Sequence, residues 1–422
     1  MKVPDKRYDP KAIEPKHAEF WRKTRAYERA RKQRSKGKEF FFVDGPPYAN
    51  GPVHMGTARN KTLKDAMLRF RRMQGFNVRD QPGFDMHGLP IEIQVEKALG
   101  FDRKKQIDDG GIDKFIMRCR ELADSNQKQM AVEFADLGIW MDWNAPYLSS
   151  SNDYIESAWW TLKKLHSGEL LFSEERAVPW CPRCETALSE QEITYVSETG
   201  DSIFFKLPLC GKRDEYLLIW VTSPWTIIGN LAVAVNPELS YAKVKIRKGG
   251  KVETLYVLED NVEAMANATG IEAYEITETL KGEKLVGLRY FHPFMADVPY
   301  LKGVKGECVH QVVPSAKVTR NHTGLAHVAP GFSADDFEIA RAHGLPAFSP
   351  VDERAIFTTE SGLKYAGKTL AEASKLVISD LASMRFLLHA GQAPHRQGTC
   401  GRCRTPLLHR ASKQWFVKTS AA

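Results

Sequence analysis

The sequence predicts an α/β protein in two parts, a parallel sheet near the N-terminus and a strand-rich insertion behind it, on three observations. An apolar run, Phe40–Val43, stops at a Gly/Pro-rich segment, Asp44-Gly-Pro-Pro-Tyr-Ala-Asn-Gly51, and gives way from about Gly56 to a helical pattern. Two Cys-x-x-Cys pairs, Cys181/Cys184 and Cys400/Cys403, stand more than two hundred residues apart. Between the pairs the chain changes from helix-rich to strand-rich.

The first element is a strand over Phe40–Val43, ended by the Gly/Pro cluster. The helix that follows carries Leu63, Met67 and Phe70 at spacings of four and three, on one face. His54 and Gly56 therefore sit where a strand hands over to a helix N-terminus, which offers free N–H groups and the positive end of the helix dipole to a phosphate. Phe76–Val78 reads as a second strand, and Pro82-Gly-Phe-Asp85 leaves its carboxyl end, where open α/β sheets bind ligands. The whole reads as a Rossmann-like, nucleotide-binding arrangement.

These residues resemble the N-terminal half of a class I aminoacyl-tRNA synthetase. His54-Met-Gly-Thr57 is similar to the nucleotide-binding signature His-x-Gly-His, with Thr57 where the second histidine is usual. Asp44-Gly-Pro-Pro-Tyr-Ala-Asn-Gly51 and Asp85-Met-His-Gly-Leu-Pro-Ile-Glu92 resemble the isoleucyl branch rather than the valyl or leucyl ones. The resemblance implies that His54, Gly56 and Thr57 meet ATP, that Asp85 pairs with the ammonium of isoleucine, and that Gly45 and Pro46 form part of the amino-acid pocket. It also implies Mg²⁺ accompanying ATP, tRNA(Ile) as the acceptor, and a monomer.

Composition sets outer bounds. With 422 residues, 43% hydrophobic and 27% charged, the chain has room for two or more globular domains. It shows no run of eighteen apolar residues, and Met1–Arg7 lacks an apolar signal core, so a cytoplasmic protein without membrane spans is expected. Net charge is +8, and Arg22, Lys23, Arg25, Arg29, Arg31, Lys32, Arg34, Lys36 and Lys38 crowd one stretch. Such a run reads first as a solvated helix face, with direct tRNA contact the lesser reading.

Seven cysteines, Cys119, Cys181, Cys184, Cys210, Cys308, Cys400 and Cys403, argue against a disulfide framework in a chain of this kind. The two Cys-x-x-Cys pairs supply four thiolates for a tetrahedral structural Zn²⁺ site; a redox pair or free thiols are the alternatives. Their separation means that the chain leaves and returns to one spot, as an inserted domain does. Trp180-Cys-Pro-Arg-Cys-Glu-Thr-Ala-Leu188 and Cys400-Gly-Arg-Cys-Arg-Thr-Pro-Leu407 share a Cys-x-x-Cys-x-Thr-x-Leu element and resemble the zinc-binding stalk of isoleucyl and valyl enzymes. The expected domains are 1–190 (first half of the catalytic fold with the first knuckle), 191–393 (insertion) and 394–422 (second knuckle and return).

Within the insertion, 202–207, 216–221, 231–235, 241–246 and 252–257 read as strands, with turns at Asn236-Pro237 and Gly249-Gly250 and a helix over 333–343, suggesting a mainly antiparallel barrel. Two motifs resemble the editing site of the family. Trp220-Val-Thr-Ser-Pro-Trp-Thr226 is similar to its threonine-rich strand, which carries over Thr222 and Ser223. Gly324-Leu-Ala-His-Val-Ala-Pro-Gly-Phe-Ser-Ala-Asp-Asp336 is similar to its second motif, with Phe332-Ser333 in place of His-Gly. The resemblance implies that Asp336 binds the ammonium of a mischarged aminoacyl group, that His327 meets the terminal adenosine or shapes the pocket, and that the hydroxyls orient water. A second site is physically needed, because one missing methylene is worth only about 1–3 kcal/mol of discrimination in an apolar pocket; isoleucine against valine is the well-known instance of this limit.

After Leu407–Val417, which resembles the strand by which the chain re-enters the catalytic fold, the chain stops at Ala422, short of the lysine-rich loop and helical domain usual in the family. The resemblance therefore implies weak or absent aminoacylation by these residues alone. Alternatives are a valyl enzyme, a free-standing deacylase of mischarged tRNA and a non-catalytic zinc-stabilised RNA-binding protein.

Overall fold

The computed structural model describes residues 8–101, 103–248, 250–307 and 309–421. Cys308, Gly249 of the expected Gly249-Gly250 turn, and the Met1–Arg7 stretch lie outside the described residues. Two compact units divide the chain, Met1–Leu171 with Ala421–Ala422, and Phe172–Ser420.

In the first unit the strand Glu39–Phe41 pairs in parallel with Asn77–Arg79, setting Phe40 opposite Val78. A second parallel pair joins Gly83–Phe84 to Tyr147–Leu148. Helices Met55–Met73, Leu89–Leu99 and Ile112–Asp136 pack around a core of Leu68, Val78, Phe84, Ile91, Met130 and Phe134. The first strand is shorter than its apolar run, and Phe41 and Val43 are exposed.

The helix Met55–Met73 turns the sequence pattern round. Leu63, Met67 and Phe70 share a face as expected, but that face is exposed, while Lys61, Asp65, Leu68 and Arg72 are buried. A charged face can be buried only where each charge finds a partner. Here Lys61 meets Asp44, Asp65 meets Arg69 at 2.7 Å, and Arg72 meets Asp80 at 2.6 Å. The preceding helices, Pro10–Thr24 and Ala26–Arg34, bury no residue, in keeping with a solvated basic face. Arg31 of that run is committed to Asp142 at 2.7 Å.

The second unit is built on a long antiparallel ribbon, Ile193–Pro208 against Leu387–Cys400. To it are added Glu215–Val221, Lys251–Leu258, Ser240–Lys248 and finally Tyr274–Lys281. A three-stranded sheet has the wholly buried Ala232–Val235 at its centre, parallel to Gln311–Pro314 and antiparallel to Leu325–Val328. The five expected strands and the helix, Ala334–Ala342, all form. The strands divide between a six-stranded and a three-stranded sheet, with isolated bridges Leu209–Tyr290 and Arg289–Gln311 leading from one to the other. Tyr274–Lys281 and Leu387–Cys400 end opposite edges of the six-stranded sheet, and the core of Phe205, Leu217, Ile219, Val233, Tyr241 and Phe294 fills the space beside it. Alternation along a strand specifies which face is buried but not which edges meet.

Candidate functional sites

In the first unit, His54 is the N-cap of the helix Met55–Met73. Its Nδ1 accepts from the Gly56 N–H at 3.1 Å, so the neutral ring carries its proton on Nε2, a donor left free for a ligand. A Cβ on residue 56 would lie 2.9 Å from the imidazole Cε1, which explains the glycine better than backbone strain does. Thr57, expected to meet ATP, is bonded to the cap itself. Its hydroxyl accepts from the His54 N–H at 3.0 Å and donates to the His54 carbonyl at 2.8 Å, so it fixes the cap, and its one hydrogen is already committed.

Asp85 is laced to the Gly/Pro segment by backbone. Its N–H donates to Pro47 O and its carbonyl accepts from the Ala49 N–H, both at 2.9 Å. Its carboxylate accepts from Ser149 Oγ at 3.2 Å, while that oxygen accepts from the Met86 N–H at 2.8 Å. The segment is anchored from below by Asp44, whose carboxylate is buried and takes Lys61, Lys64 at 2.7 Å and the Gly83 N–H at 3.0 Å. Lys64 also reaches Gly45 O at 3.0 Å, and Tyr147 donates its hydroxyl to Asp44 O. The Lys61 ammonium lies 5.4–5.9 Å from the ring centroids of Phe84, Phe134 and Trp143. Burial lowers the Lys61 pKa, with Asp44 opposing. These bonds join Asp85, Asp44 and Gly45 to the Gly/Pro segment, which runs on in sequence into the His54–Thr57 cap.

In the second unit a cavity of about 300 Å³ is walled by Trp220, residues 317–319 and 321–327, and Asp336. Asp336 lies in the first turn of Ala334–Ala342; one oxygen accepts from the Ala329 N–H at 2.9 Å, and its own N–H is capped by Ser333 at 3.3 Å. Burial pushes its carboxyl up to about 7. His327 is pushed down to about 4 by burial and is neutral near pH 7. Thr226 Oγ1 spends its proton on Ser223 O at 2.7 Å, so at 3.1 Å it must accept from His327 Nε2–H. That tautomer leaves His327 Nδ1 a bare acceptor, and it has no partner among the described residues. Trp220 stacks on His322 with ring centroids 3.5 Å apart. Thr222 and Ser223 are half-buried just past the strand Glu215–Val221 and are not among the cavity walls. Phe332 packs edge-on against Trp225 with centroids 4.7 Å apart, and also presses on Gly229, so the change from the usual histidine is accommodated by apolar packing.

The return of the chain expected from the cysteine spacing has a visible cause. The ribbon pairs Cys400 with Ile193, and the Gly401 N–H donates to Glu192 O at 2.8 Å, setting the second knuckle beside the first. The four Sγ atoms lie within 4.8 Å of one another, with Cys181–Cys403 at 3.5 Å and Cys184–Cys403 at 3.6 Å. Tetrahedral Zn–S bonds of about 2.3 Å put ligand sulfurs about 3.7 Å apart, whereas a disulfide requires about 2.05 Å. The donor set fits a closed structural zinc site, and Cys184 is pushed down to about 6, chiefly by the hydrogen bond from Cys181.

The model for tRNA synthetases class I (I, L, M and V) matches residues 16–422. The chain belongs to this family. Among its relatives in the family, the isoleucine–tRNA ligase of Archaeoglobus fulgidus is 44% identical over 414 residues, 98% of this chain and 40% of that protein. The enzyme of the same name from Pyrococcus horikoshii is 44% identical over 427 residues, 100% of this chain and 40% of its own length. That of Methanothrix thermoacetophila is 42% identical over 414 residues, 98% of this chain and 39% of that protein. The chain thus spans about 40% of the length of the relatives it matches. Among the described residues no helix is long and apolar enough to cross a membrane.

Sequence reasoning on this class I synthetase chain missed Lys61, Lys64, Tyr147, Ser149 and Thr226, all of which hold candidate residues in place. Asp44 stood inside a recognisable motif, yet its function as a buried hub depends on lysines seventeen and twenty residues away.

Proposed function

We propose that the chain provides the amino-acid and nucleotide site and the hydrolytic editing site of an isoleucine–tRNA ligase, acting on isoleucine, ATP and tRNA(Ile). The observation that carries this reading is the bonding of Asp85 to the Gly/Pro loop that leads into the His54–Thr57 helix cap, in a chain 44% identical to isoleucine–tRNA ligases along almost its whole length. Asp85 holds the isoleucine ammonium beside Gly45 and Pro46. The isoleucine carboxylate oxygen attacks the α-phosphorus of ATP, the bond to the β-phosphate oxygen breaks, and pyrophosphate leaves with its electron pair. His54 Nε2–H at the positive end of the helix stabilises the charge that develops on the phosphate, while the Gly56 N–H and the Thr57 hydroxyl hold the His54 ring and backbone in place. Mg²⁺ entering with ATP would supply charge neutralisation for the departing pyrophosphate. The reaction then needs positioning more than a general base.

In the second unit, which contains the inserted editing domain 191–393, Asp336 takes the ammonium of a valyl group on tRNA(Ile), and His327 Nδ1 accepts a hydrogen bond from the terminal ribose or from the attacking water. Ser223 supports the site from outside its walls, its carbonyl accepting from Thr226 Oγ1. Cys181, Cys184, Cys400 and Cys403 hold a structural Zn²⁺ at the base of the insertion.

Hydrolysis of Val-tRNA(Ile) across pH tests the editing reading. An ionised Asp336 is required, so the rate above the uncatalysed background should rise tenfold per unit below about 7 and level off there. It should fall again as the α-amino group of the substrate, ordinarily at about 7.7–8.0, loses its proton. His327, already neutral, adds no inflection above about pH 5. A profile with no rising limb near 7, or one unchanged in Asp336→Asn, contradicts the assignment.

A further inference from the structure

The helix Ile112–Asp136 carries Asn126 and Glu133 about two turns apart, on one face. Asn126 Nδ2 donates to Ala49 O at 3.1 Å, and Glu133 Oε2 accepts from the Val53 N–H at 2.6 Å. Between these grips lies Asn50-Gly51-Pro52, which has no helix or strand of its own. Each grip leads to a different part of the site. Ala49, fully buried, donates its N–H to Asp85 O at 2.9 Å, so Asn126 acts on the carboxylate segment. Val53 directly precedes the N-cap His54, so Glu133 acts on the helix N-terminus. Gln129 donates to Glu133 Oε1 at 2.8 Å, which orients the carboxylate through both oxygens. Asn126 and Glu133 are only half-buried and sit beside Ala123, Met130 and Phe134 of the same helix, which anchor it in the core.

We propose that Asn126 and Glu133 are positioning residues that divide the activation site between them: Asn126 sets the amino-acid side through Ala49 and Asp85, and Glu133 sets the nucleotide side through Val53 and His54. The inference rests on the reading of this loop as the isoleucine and ATP site and adds residues that lie in neither motif. Helix surface residues with a merely structural role would change stability without choosing between two ligands.

The test is calorimetric titration of the chain, and of Glu133→Ala, Glu133→Gln and Asn126→Ala, with MgATP and with isoleucine separately, and with melting curves alongside. Glu133→Ala should weaken ATP by about tenfold or more, the loss of a charge-assisted hydrogen bond, while isoleucine affinity stays within about twofold. Glu133→Gln keeps an acceptor and should recover most of the ATP affinity. Asn126→Ala should show the opposite split. Equal weakening of both ligands, or losses that simply follow melting temperature, overturns the division. Wild-type chain with affinity for neither ligand overturns the site reading and this inference with it. Normal wild-type binding with unchanged variants overturns the inference alone.

Discussion

Asp44→Ala is expected to cost the first unit about 3–5 kcal/mol, the range for removing one partner of a buried ion pair. The Asp44 and Lys61 side chains are almost fully buried, so the variant strands an ammonium among Phe84, Phe134 and Trp143. Cation–π attraction of about 0.5–2 kcal/mol offsets only part of the lost hydration. The Gly83 N–H loses its acceptor as well, while Lys64 keeps Gly45 O. The pH dependence follows from the sign of the lysine shift. Burial lowers the Lys61 pKa in the folded state, and Asp44 opposes that lowering; without Asp44 it falls further. The unfolded chain then binds more protons than the folded one, so the stability of the variant should rise with pH toward the ordinary lysine value. Urea denaturation of both proteins at neutral and alkaline pH measures this. The double variant Asp44→Ala/Lys61→Met should be less destabilised than the sum of the single changes, since removing both charges leaves neither stranded. A loss under about 1 kcal/mol for Asp44→Ala would show that the pair contributes little more than a surface bridge.

The second large effect concerns the cysteine cluster. Zinc on four thiolates contributes about 10–16 kcal/mol of apparent binding energy in small zinc modules, and here it would join segments about 220 residues apart in sequence. One zinc per chain is expected by elemental analysis. Cys403→Ser should reduce zinc occupancy sharply, and a strong chelator should lower the melting temperature of the wild-type chain but not of the variant. The ribbon Ile193–Pro208 with Leu387–Cys400 is held by its own ladder, so loss of zinc should loosen 181–192 and 400–407 before the large sheet. Full stability with no bound metal, unchanged by chelator, would favour the free-thiol reading.

The sequence carried these features unequally, and the reason differs from case to case. The paired cysteines were legible because ligand spacing is a local property. The strands of the second unit were legible because β-branched and aromatic runs bounded by turns report local conformation. The division of those strands between two sheets was not, since it depends on which edges meet. Leu63, Met67 and Phe70 showed the helical period of their segment correctly, yet the buried face is the charged one, because Asp44 and Asp80 supply partners for Lys61 and Arg72 from outside the helix. Burial of a charge is a statement about a pair, and one member alone does not announce it. His54, Gly56 and Asp85 stood out as motif residues, whereas Asn126 and Glu133 look like any polar positions on an amphipathic helix until their partners about 80 residues away are known. Thr57 shows the reverse: a motif position whose hydroxyl is occupied by the cap beside it.

The most direct test of the central claim compares deacylation of Val-tRNA(Ile), Thr-tRNA(Val) and norvalyl-tRNA(Leu) by the chain and by Asp336→Ala. Hydrolysis of the first substrate should run well above that of the other two, and should be lost in the variant. Equal cleavage of all three, or an Asp336→Ala variant as active as the original, would contradict the proposed function.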